Sequence, residues 1–519
     1  MSRAGLLPRG ETGKLCRMKQ LLASIALLGF VACGDPAAVA PDAAPDASPP
    51  PEFEARCDEV PQTGADMFSS PTDFGPITPG TLAGWDPAGR WFLTGTRVGG
   101  VSSFHFERRG AQLIVDRDDT TPGTIDDDAI FQRTTVGDGE TTFVIARRVV
   151  NLAADGSLRA DRAVCDGDKC RVCTARMIRA THNEGEAEGE GLALVGQLYG
   201  ASWEPGYTFN VRTVGTLAYL IRQDGLHIIE TADPANPVEL GHYRRNGDGY
   251  SNDVKLVDAA GGKRFAIIAD TPVDVVDVTN PAAPTLAANI TEEAHTLFTE
   301  TRAGVTLAYF GNYDASCPVW DVTNPAAPKR LGRYQTEGAL VHDLSVANGI
   351  AYLNAWDAGL VIVDFNTPAT PALVGSWADT PTGSSHSNWT TTVAGRRIAL
   401  HGEESYAAHL DVVDLDAGSP TLMQSIGSYR TRDWVSIHNI MAFGSKAYFT
   451  HYQDGVRVLD LADPTQPVLA GYYNTWDPQA DYTSSAFFEG AVGLDVDLAR
   501  KLVFVADSRG LLILRDTTP

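Results

Sequence analysis

Short runs of alternating apolar and polar residues, broken by glycine, proline and aspartate, fill the chain from Trp85 onward. Between Trp85 and Ala180 the runs RWFLTGTRV, VSSFHFERR, AQLIVDRD and TTFVIARRVV have a period of two, the period of a half-buried β-strand. Fifty glycines and thirty prolines supply turns between such strands. The pattern predicts an all-β protein that begins with a small antiparallel β module.

One signature recurs through the rest of the chain. An apolar strand is followed by a proline-rich turn and a second short strand in LHIIETADPANPVELGHY from Leu226, VDVVDVTNPAAPTLAANI from Val273, CPVWDVTNPAAPKRLGRY from Cys317, LVIVDFNTPATPALVGSW from Leu360, LDVVDLDAGSPTLMQSIG from Leu410, VRVLDLADPTQPVLAGYY from Val456 and LLILRDTTP from Leu511. An acidic residue closes the strand about every 43 to 50 residues, at Glu230, Asp277, Asp321, Asp364, Asp414 and Asp460. One four-stranded blade of a propeller has that length.

A single repeat contains four strand-like runs. From Val341 to Trp377 they are HDLSVANG, IAYLNAW, GLVIVDF and PALVGSW. Prolines such as Pro281 and Pro284 fix φ and lack the amide hydrogen, so the third strand must end where they stand. Each repeat is therefore predicted to form one antiparallel blade.

These repeats resemble the LVIVD-repeat family of β-propellers, whose name is the sequence that begins here at Leu360. The resemblance covers about Leu192 to Pro519 and implies seven blades, but it implies little about activity. The run ALVGQLYG from Ala193 looks like a fourth strand with no repeat before it. We expect it to complete the last repeat and close the ring.

The amino-terminal segment has the pattern of a targeting signal. Basic residues precede an apolar run from Leu21 to Val31, which is too short to cross a bilayer as a helix. The run ends in FVACG, which resembles the lipobox of bacterial lipoproteins and implies lipidation of Cys33, although Phe30 stands where that family usually has Leu. Ordinary signal-peptidase cleavage nearby is the alternative. The Ala/Pro/Asp tract that follows is typical of a tether.

We therefore expect a lipoprotein signal peptide over residues 1–32, a tether over 33–60, a small β-rich module over 61–190 and the propeller over 191–519. Such a protein is exported and anchored to a membrane of the bacterial envelope by its lipid, at the outer membrane or the cell surface. Its 65 acidic and 41 basic residues give a formal charge of −24, which argues against a nucleic-acid partner.

Five cysteines remain if the leader is removed and Cys33 is lipidated: Cys57, Cys165, Cys170, Cys173 and Cys317. An exported protein can hold disulfides. The cluster CDGDKCRVC could form half of a zinc site, but no second CxxC and no histidine pair stands at finger spacing. We expect disulfides with the pairing left open, and one free thiol, most simply Cys317.

Four histidines recur at one position of consecutive repeats. Alignment of the inner strands places His295, His342, His386 and His438 together, with Phe209 and Asn252 there in the first two repeats and Glu489 or Gly490 near it in the last. This position should lie at the mouth of the propeller channel. The imidazoles could buttress the blades as in WD repeats, bind a transition metal such as copper or zinc, or serve a metal-free ligand or acid–base role.

Loops between the second and third strands should open on the same face. Their candidate ligand-binding residues are Tyr313, Trp356, His401, Glu403, Glu404, His451 and Tyr452. The first functional hypothesis is a binding or interaction platform for an extracellular protein, glycan or other ligand. The alternative is a metal-dependent enzyme with its site at the four histidines. The sequence shows no serine hydrolase motif, phosphate loop or dinucleotide fingerprint, so an enzymatic activity is left open.

Overall fold

A computed structural model describes residues 56–61, 66–94, 103–109, 112–116, 118–137, 142–151, 158–167, 169–245, 251–378, 383–480, 482 and 488–519. The predicted signal peptide, Cys33 and the predicted tether up to residue 55 lie outside the described residues. Strands and loops make up the described chain apart from one 3-10 helix, Pro71–Phe74. No helix among these residues is long and apolar enough to cross a membrane. The chain divides into two compact units, one up to Ala180 and one from Thr181.

The first unit is an antiparallel sheet that closes on itself. Its strands are Arg56–Pro61, Gly89–Thr94, Ser103–Arg109, Gln112–Val115, Asp118–Ile125, Ile130–Gly137, Thr142–Asn151, Leu158–Asp166 and Lys169–Arg179. The eight strands from Gly89–Thr94 onward pair in chain order, and the last of them returns to the first of the eight, where Arg179 faces Trp91. Arg56–Pro61 pairs with the beginning of that last strand. The predicted antiparallel module is confirmed, and it has the form of an eight-stranded barrel.

Two disulfides hold strands of the barrel together. Cys57 is joined to Cys173, and Cys165 is joined to Cys170 across the hairpin of the last two strands. Cys317 is the free cysteine of the described chain and is fully buried. The predicted disulfides and the predicted free thiol are therefore confirmed.

The second unit consists of seven antiparallel sheets, six of four strands and one of five, numbered here as blades 1 to 7. From inner to outer strand, blade 1 is Thr208–Val214, Leu217–Arg222, Gly225–Glu230 and Val238–Arg244; blade 2 is Asp253–Ala259, Lys263–Ala269, Val273–Asp277 and Thr285–Ile290; blade 3 is Ala294–Arg302, Val305–Asn312, Ser316–Asp321 and Lys329–Gln335. Blade 4 is Asp343–Ala347, Ile350–Asn354, Leu360–Asp364 and Ala372–Trp377; blade 5 is Ser385–Val393, Arg396–Glu403, Leu410–Asp414 and Ser425–Tyr429; blade 6 is Ile440–Phe443, Lys446–Thr450, Val456–Asp460 and Val468–Tyr473.

Blade 7 combines strands that are far apart in the sequence. Its inner three strands are Ala491–Asp497, Leu502–Asp507 and Gly510–Asp516, and its outer strand is Leu192–Leu198. The short strand Gly189–Glu190 adds to the outer edge of blade 6. The inner strand of each blade contacts that of the next, and blade 7 contacts blade 1. The predicted seven-bladed propeller, closed by the run from Ala193, is confirmed.

The repeated acidic residue and proline turn have a structural role in each blade. The carboxylate that ends the third strand accepts the backbone N–H two residues later, at Asp277 (3.0 Å from Thr279), Asp321 (2.9 Å from Thr323) and Asp364 (2.7 Å from Asn366). This turn packs against the outer strand of the preceding blade. A Cβ added to Gly332 would lie 1.8 Å from the carbonyl oxygen of Pro368, so only glycine permits the approach.

Apolar clusters lie between the blades rather than in the channel. Each neighbouring pair of blades shares one cluster, such as Tyr309 and Val319 of blade 3 with Leu353 and Val363 of blade 4. The other six pairs are joined in the same way, including blade 7 with blade 1. Because the inner strands are held from both sides, polar residues at their first positions are brought together at one end of the ring.

Candidate functional site

The four predicted histidines occupy equivalent positions at the start of the inner strands of blades 3 to 6. His295 and His386 lie at β-bulges, where the strand register shifts by one residue. The backbone N–H groups of His342 and His438 donate to carbonyl oxygens of the adjoining second strand at 2.8 and 2.9 Å. Strand pairing of this kind fixes each Cα at the same end of its inner strand, so the four residues lie at one end of the ring.

The imidazoles of these four blades form one continuous arc. Ring centroids are 4.1 Å apart for His295 and His342, 4.0 Å for His342 and His386, and 4.4 Å for His386 and His438. Each ring therefore contacts the ring of the next blade. We call these four residues the histidine arc.

Glu404 adds a carboxylate to the histidine arc. Its Oε2 lies 3.6 Å from Nε2 of His386, and its Oε1 lies 3.9 Å from Nε2 of His438. The hydroxyl of Tyr452 donates to Oε1. One donor atom each from His342, His386 and Glu404 lie within 4.8 Å of one another, which is compatible with a single bound ion. We call these three residues the mouth site.

Hydrogen bonds orient the two ends of the arc. Nδ1 of His438 lies 2.7 Å from the carbonyl oxygen of Val492, which can only accept, so this nitrogen carries the proton and Nε2 faces Glu404 with its lone pair. At the other end, Nδ1 of His295 lies 2.9 Å from the hydroxyl of Tyr313 and 3.0 Å from the amide nitrogen of Asn252.

His386, in the middle of the arc, is different. Its side chain is 2% exposed, and neither ring nitrogen has a hydrogen-bond partner among the described residues. A buried polar group without a partner costs free energy, on the order of 1 to 3 kcal/mol. Such a group in a native structure calls for a functional or structural explanation, and an ion between His386 and Glu404 would provide one.

Burial keeps the arc uncharged. It lowers the pKa of His295 and of His438 to about 4, and that of His342 and His386 well below the usual value. The same burial raises the pKa of Glu404 to about 7. Neutral imidazole is the form that binds metal ions, and a carboxyl group with a pKa near 7 can exchange a proton at neutral pH.

Two aromatic side chains from the connecting loops cover the arc. Trp356 stacks on His342 with ring centroids 5.1 Å apart, and Tyr452 packs on His438 at 5.0 Å. Both residues have positive φ, 47° for Trp356 and 39° for Tyr452, which bulky side chains rarely adopt. Backbone strain of this kind persists where the surrounding structure requires the conformation, and it is frequent at functional sites.

The other candidates from the loops are placed elsewhere. His401, Glu403 and His451 are fully buried. Nε2 of His401 lies 2.8 Å from the hydroxyl of Ser385 in the same blade, and Nδ1 of His451 lies 2.8 Å from the carbonyl oxygen of Ser436. These contacts hold His401 and His451 within their own blades and loops, and the ring contacts that link the arc do not include them.

Of the two adjacent glutamates that the sequence offered as candidates, Glu404 contacts the arc. Two further contributors, Val492 and Tyr207, were not singled out by the sequence. The strand register places Val492 of blade 7 at the histidine position, rather than Glu489 or Gly490. Burial raises the pKa of Tyr207 well above its usual value, with Glu404 as the second cause, and its hydroxyl donates to a backbone carbonyl at 2.7 Å. Of these residues, only Val492 could have been found from the repeat alignment, because it occupies the position equivalent to the four histidines.

Seven four-stranded blades in a closed ring, with polar groups gathered at one end of the channel, define a seven-bladed β-propeller. Four of its segments, residues 205–245, 248–292, 340–379 and 438–475, match the family model of the LVIVD repeat. These segments correspond to blades 1, 2, 4 and 6. A search of curated proteins found no match.

A comparison with solved structures found matches at low sequence identity. The WD40 β-propeller domain of Doa1 is 13% identical, over 62% of this chain and 96% of that chain, with a TM-score of 0.42. A chain of the mitotic checkpoint complex is 11% identical, over 66% and 99%, with a TM-score of 0.44. Sqt1 of Saccharomyces cerevisiae is 12% identical, over 63% and 100%, with a TM-score of 0.43.

Proposed function

We propose that this protein is a metal-dependent enzyme of the bacterial envelope, exported and lipid-anchored, with a divalent transition-metal ion at the mouth of its propeller channel. The contact of His386 and Glu404 in blade 5, with His342 and His438 on either side, carries this proposal. Two imidazoles and one carboxylate form a common ligand set for catalytic zinc and for non-haem iron.

The ligand set of the mouth site leaves coordination positions open. Three protein ligands are typical of catalytic rather than structural zinc sites, in which a water molecule or the substrate takes the remaining position. The ion would act as a Lewis acid and lower the pKa of a bound water. His438 holds its Nδ1 proton on the carbonyl of Val492, so its Nε2 is available as a further ligand or as a proton acceptor.

The geometry favours this function over an interaction platform for a protein or glycan. Trp356 and Tyr452, the large aromatic residues at the mouth, are turned onto imidazoles, and Tyr452 is only 1% exposed. A platform would use such residues as exposed anchors. The buried and unpartnered imidazole of His386 has no role in a surface contact.

Metal analysis of the purified full-length protein tests the site. We expect the double variant His342→Ala/His386→Ala to contain one equivalent less of zinc, copper or iron than the wild type, after identical reconstitution. His409 hydrogen-bonds a backbone carbonyl away from the arc, so His409→Ala is the matched control and should keep the metal. Equal metal content in wild type and double variant, with both folded by circular dichroism, would refute the mouth site.

Anchoring is tested separately. The apolar run, Cys33 and the Ala/Pro/Asp tract support export and lipidation. We expect labelled palmitate to enter the wild-type protein, and Cys33→Ser to remove both the label and the association with the membrane fraction. Equal labelling of the variant would show that Cys33 is not the lipidated residue.

A further inference from the structure

We propose that the end of the propeller channel opposite the histidine arc binds the alkylammonium group of a protonated amine. A cavity of about 480 Å³ lies there, and such a volume is typical of small-molecule sites. We call it the amine cavity, and the lining residues that give it its chemistry are Thr213, Trp389, Met441, Phe443 and Asp495.

The inner strands of blades 1, 5, 6 and 7 supply these side chains. Phe443 is the last residue of its inner strand, Ile440–Phe443, whereas His438 comes before the first residue of that strand. Gly215 also lines the cavity and belongs to the turn between the inner and second strands of blade 1. The amine cavity therefore lies toward the opposite end of the channel from the histidine arc, and the two share no residue.

Asp495 is a buried carboxylate with one oxygen unused. The residue is only 9% exposed. Its Oδ2 accepts the backbone N–H of Thr213 at 2.6 Å and the hydroxyl of the same residue at 2.7 Å, which joins blade 7 to blade 1. In the described part of the chain, Oδ1 accepts no hydrogen bond and the carboxylate forms no ion pair. A charge this far buried is normally paired, so the carboxylate lacks a cation that a ligand can supply.

The charges around Asp495 already have partners of their own. Asp497 is the other acidic residue of the lining, and its Oδ2 lies 2.6 Å from Nε of Arg500, whose backbone N–H donates to Oδ1 at 2.9 Å. Nη2 of Arg212, on the inner strand of blade 1, lies 3.7 Å from Oδ1 of Asp253. Asp495 therefore carries the negative charge that a bound ammonium group would balance.

Apolar side chains complete a site for an alkylammonium group. The rings of Trp389 and Phe443 have centroids 6.4 Å apart and an interplanar angle of 51°, and Met441 lies two residues before Phe443 on the same strand. Aromatic faces attract cations, and a thioether packs readily against apolar groups. A protonated amine suits both features, because its N–H groups donate to Oδ1 of Asp495 while its carbon chain contacts these three residues. A quaternary ammonium ion has no N–H to donate, and the carboxylate would repel an anion.

Calorimetric titration of the metal-free full-length protein with n-butylamine at neutral pH tests the amine cavity, because removal of the metal prevents amines from coordinating it at the mouth. We expect saturable binding of n-butylamine and no detectable binding of n-butanol, its neutral analogue. Asp495→Asn should weaken n-butylamine binding by at least about 10-fold. Asp497→Asn is the matched control in the same cavity and should bind like the wild type, because Arg500 already neutralises Asp497.

Trp389→Leu provides a second test if Asp495→Asn does not fold, and it should weaken binding about 3- to 10-fold through loss of the aromatic face. Absence of n-butylamine binding would overturn the proposal. So would equal affinities of the wild type and folded Asp495→Asn, or binding of n-butanol as tight as that of n-butylamine. Because no metal is present, none of these results bears on the proposed enzyme.

Two sources offer an alkylammonium group, a free amine and the lysine side chain of a protein. Nα-acetyl-lysine methylamide, titrated under the same conditions, distinguishes them. Tighter binding of this compound than of n-butylamine would identify a lysine side chain as the ligand, and weaker binding would identify a free amine. In both cases Asp495→Asn should reduce the affinity.

Discussion

Blades 5 and 6 contain two sets of buried histidines with different surroundings. One set belongs to the histidine arc, such as His386, and the other lies inside the blades, such as His451. At the channel mouth, His386 contacts the rings of neighbouring blades, and neither of its nitrogens has a hydrogen-bond partner among the described residues. Inside blade 6, His451 lies 2.8 Å from the carbonyl oxygen of Ser436 at Nδ1 and 3.0 Å from the hydroxyl of Thr431 at Nε2. His451 is therefore bonded within its own blade and its entry loop, whereas His386 faces a shared space.

Burial and proton affinity do not separate the two sets, because burial lowers the pKa of both His386 and His451. Hydrogen bonding does separate them. A histidine that fills its hydrogen bonds within one blade behaves as a structural residue, which is the role considered above for WD-repeat histidines. A histidine left without partners where several blades meet has the features of a ligand-binding group.

The largest expected effect comes from the blade interior. His451→Ala removes a fully buried side chain and leaves the carbonyl of Ser436 without this donor, so the free energy of unfolding should fall by about 2 to 4 kcal/mol. Urea unfolding monitored by circular dichroism measures the change. His409→Ala, at a half-buried position, should lower the free energy of unfolding by less than His451→Ala. An equal decrease would show that the hydrogen bonds of His451 do not stabilise the blade interior.

An intermediate effect is expected from pH. The pKa of His401 is about 3 and that of His451 about 4 in the folded protein, below the ordinary value of about 6.5 in an unfolded chain. The unfolded chain therefore binds protons first, and stability that is complete above pH 6.5 is lost as the pH falls toward 4. Each histidine should contribute on the order of 1 to 3 kcal/mol to this loss.

Urea unfolding of the metal-free protein at several pH values measures how steeply the free energy of unfolding falls between pH 6.5 and 4. His451→Gln cannot take up the proton, so its stability should fall less steeply between pH 6.5 and 4 than that of the wild type. An unchanged slope in this variant would mean that His451 is not held neutral by burial.

The smallest expected effect on stability is at the channel mouth. His386→Leu replaces an imidazole without hydrogen bonds by an apolar side chain of similar size, so the metal-free protein should change by less than about 1 kcal/mol in either direction. The same variant should lose the mouth metal. A loss of stability as large as that of His451→Ala would show that His386 supports the blade, and the contrast between the two sets would fail.

The sequence predicts the propeller because the residues that shape each blade are close together in the sequence and recur from repeat to repeat. An acidic residue two positions before a turn amide, as at Asp277 and Asp321, recurs along the chain. A glycine that meets the turn of the next blade recurs at Gly196, Gly241, Gly332 and Gly427. The closure of the first unit into a barrel was not predictable. It depends on the pairing of Trp91 with Arg179, which are distant in sequence and carry no repeat signal.

The candidate site was predictable only in part. Equivalent positions in a ring must converge, so the alignment of His295, His342, His386 and His438 placed them at one end. Loop residues lack that symmetry. Glu403 is the last residue of its strand and is buried in blade 5, whereas Glu404 is the first residue beyond the strand and faces the arc. A change of one position reverses the side-chain direction, and the sequence does not mark where the strand ends.

The pairing of strand Leu192–Leu198 with Gly510–Asp516 also has a consequence for the timing of folding. The four main strands of every other blade come from one continuous stretch of chain, so they can pair as soon as that stretch is available. Leu192–Leu198 must wait until the last repeat has been synthesised, and until then it is an unpaired strand with an apolar face. Ring closure therefore joins the most distant strands of the propeller, and the segment Leu192–Leu198 has no blade partner until the last repeat is present.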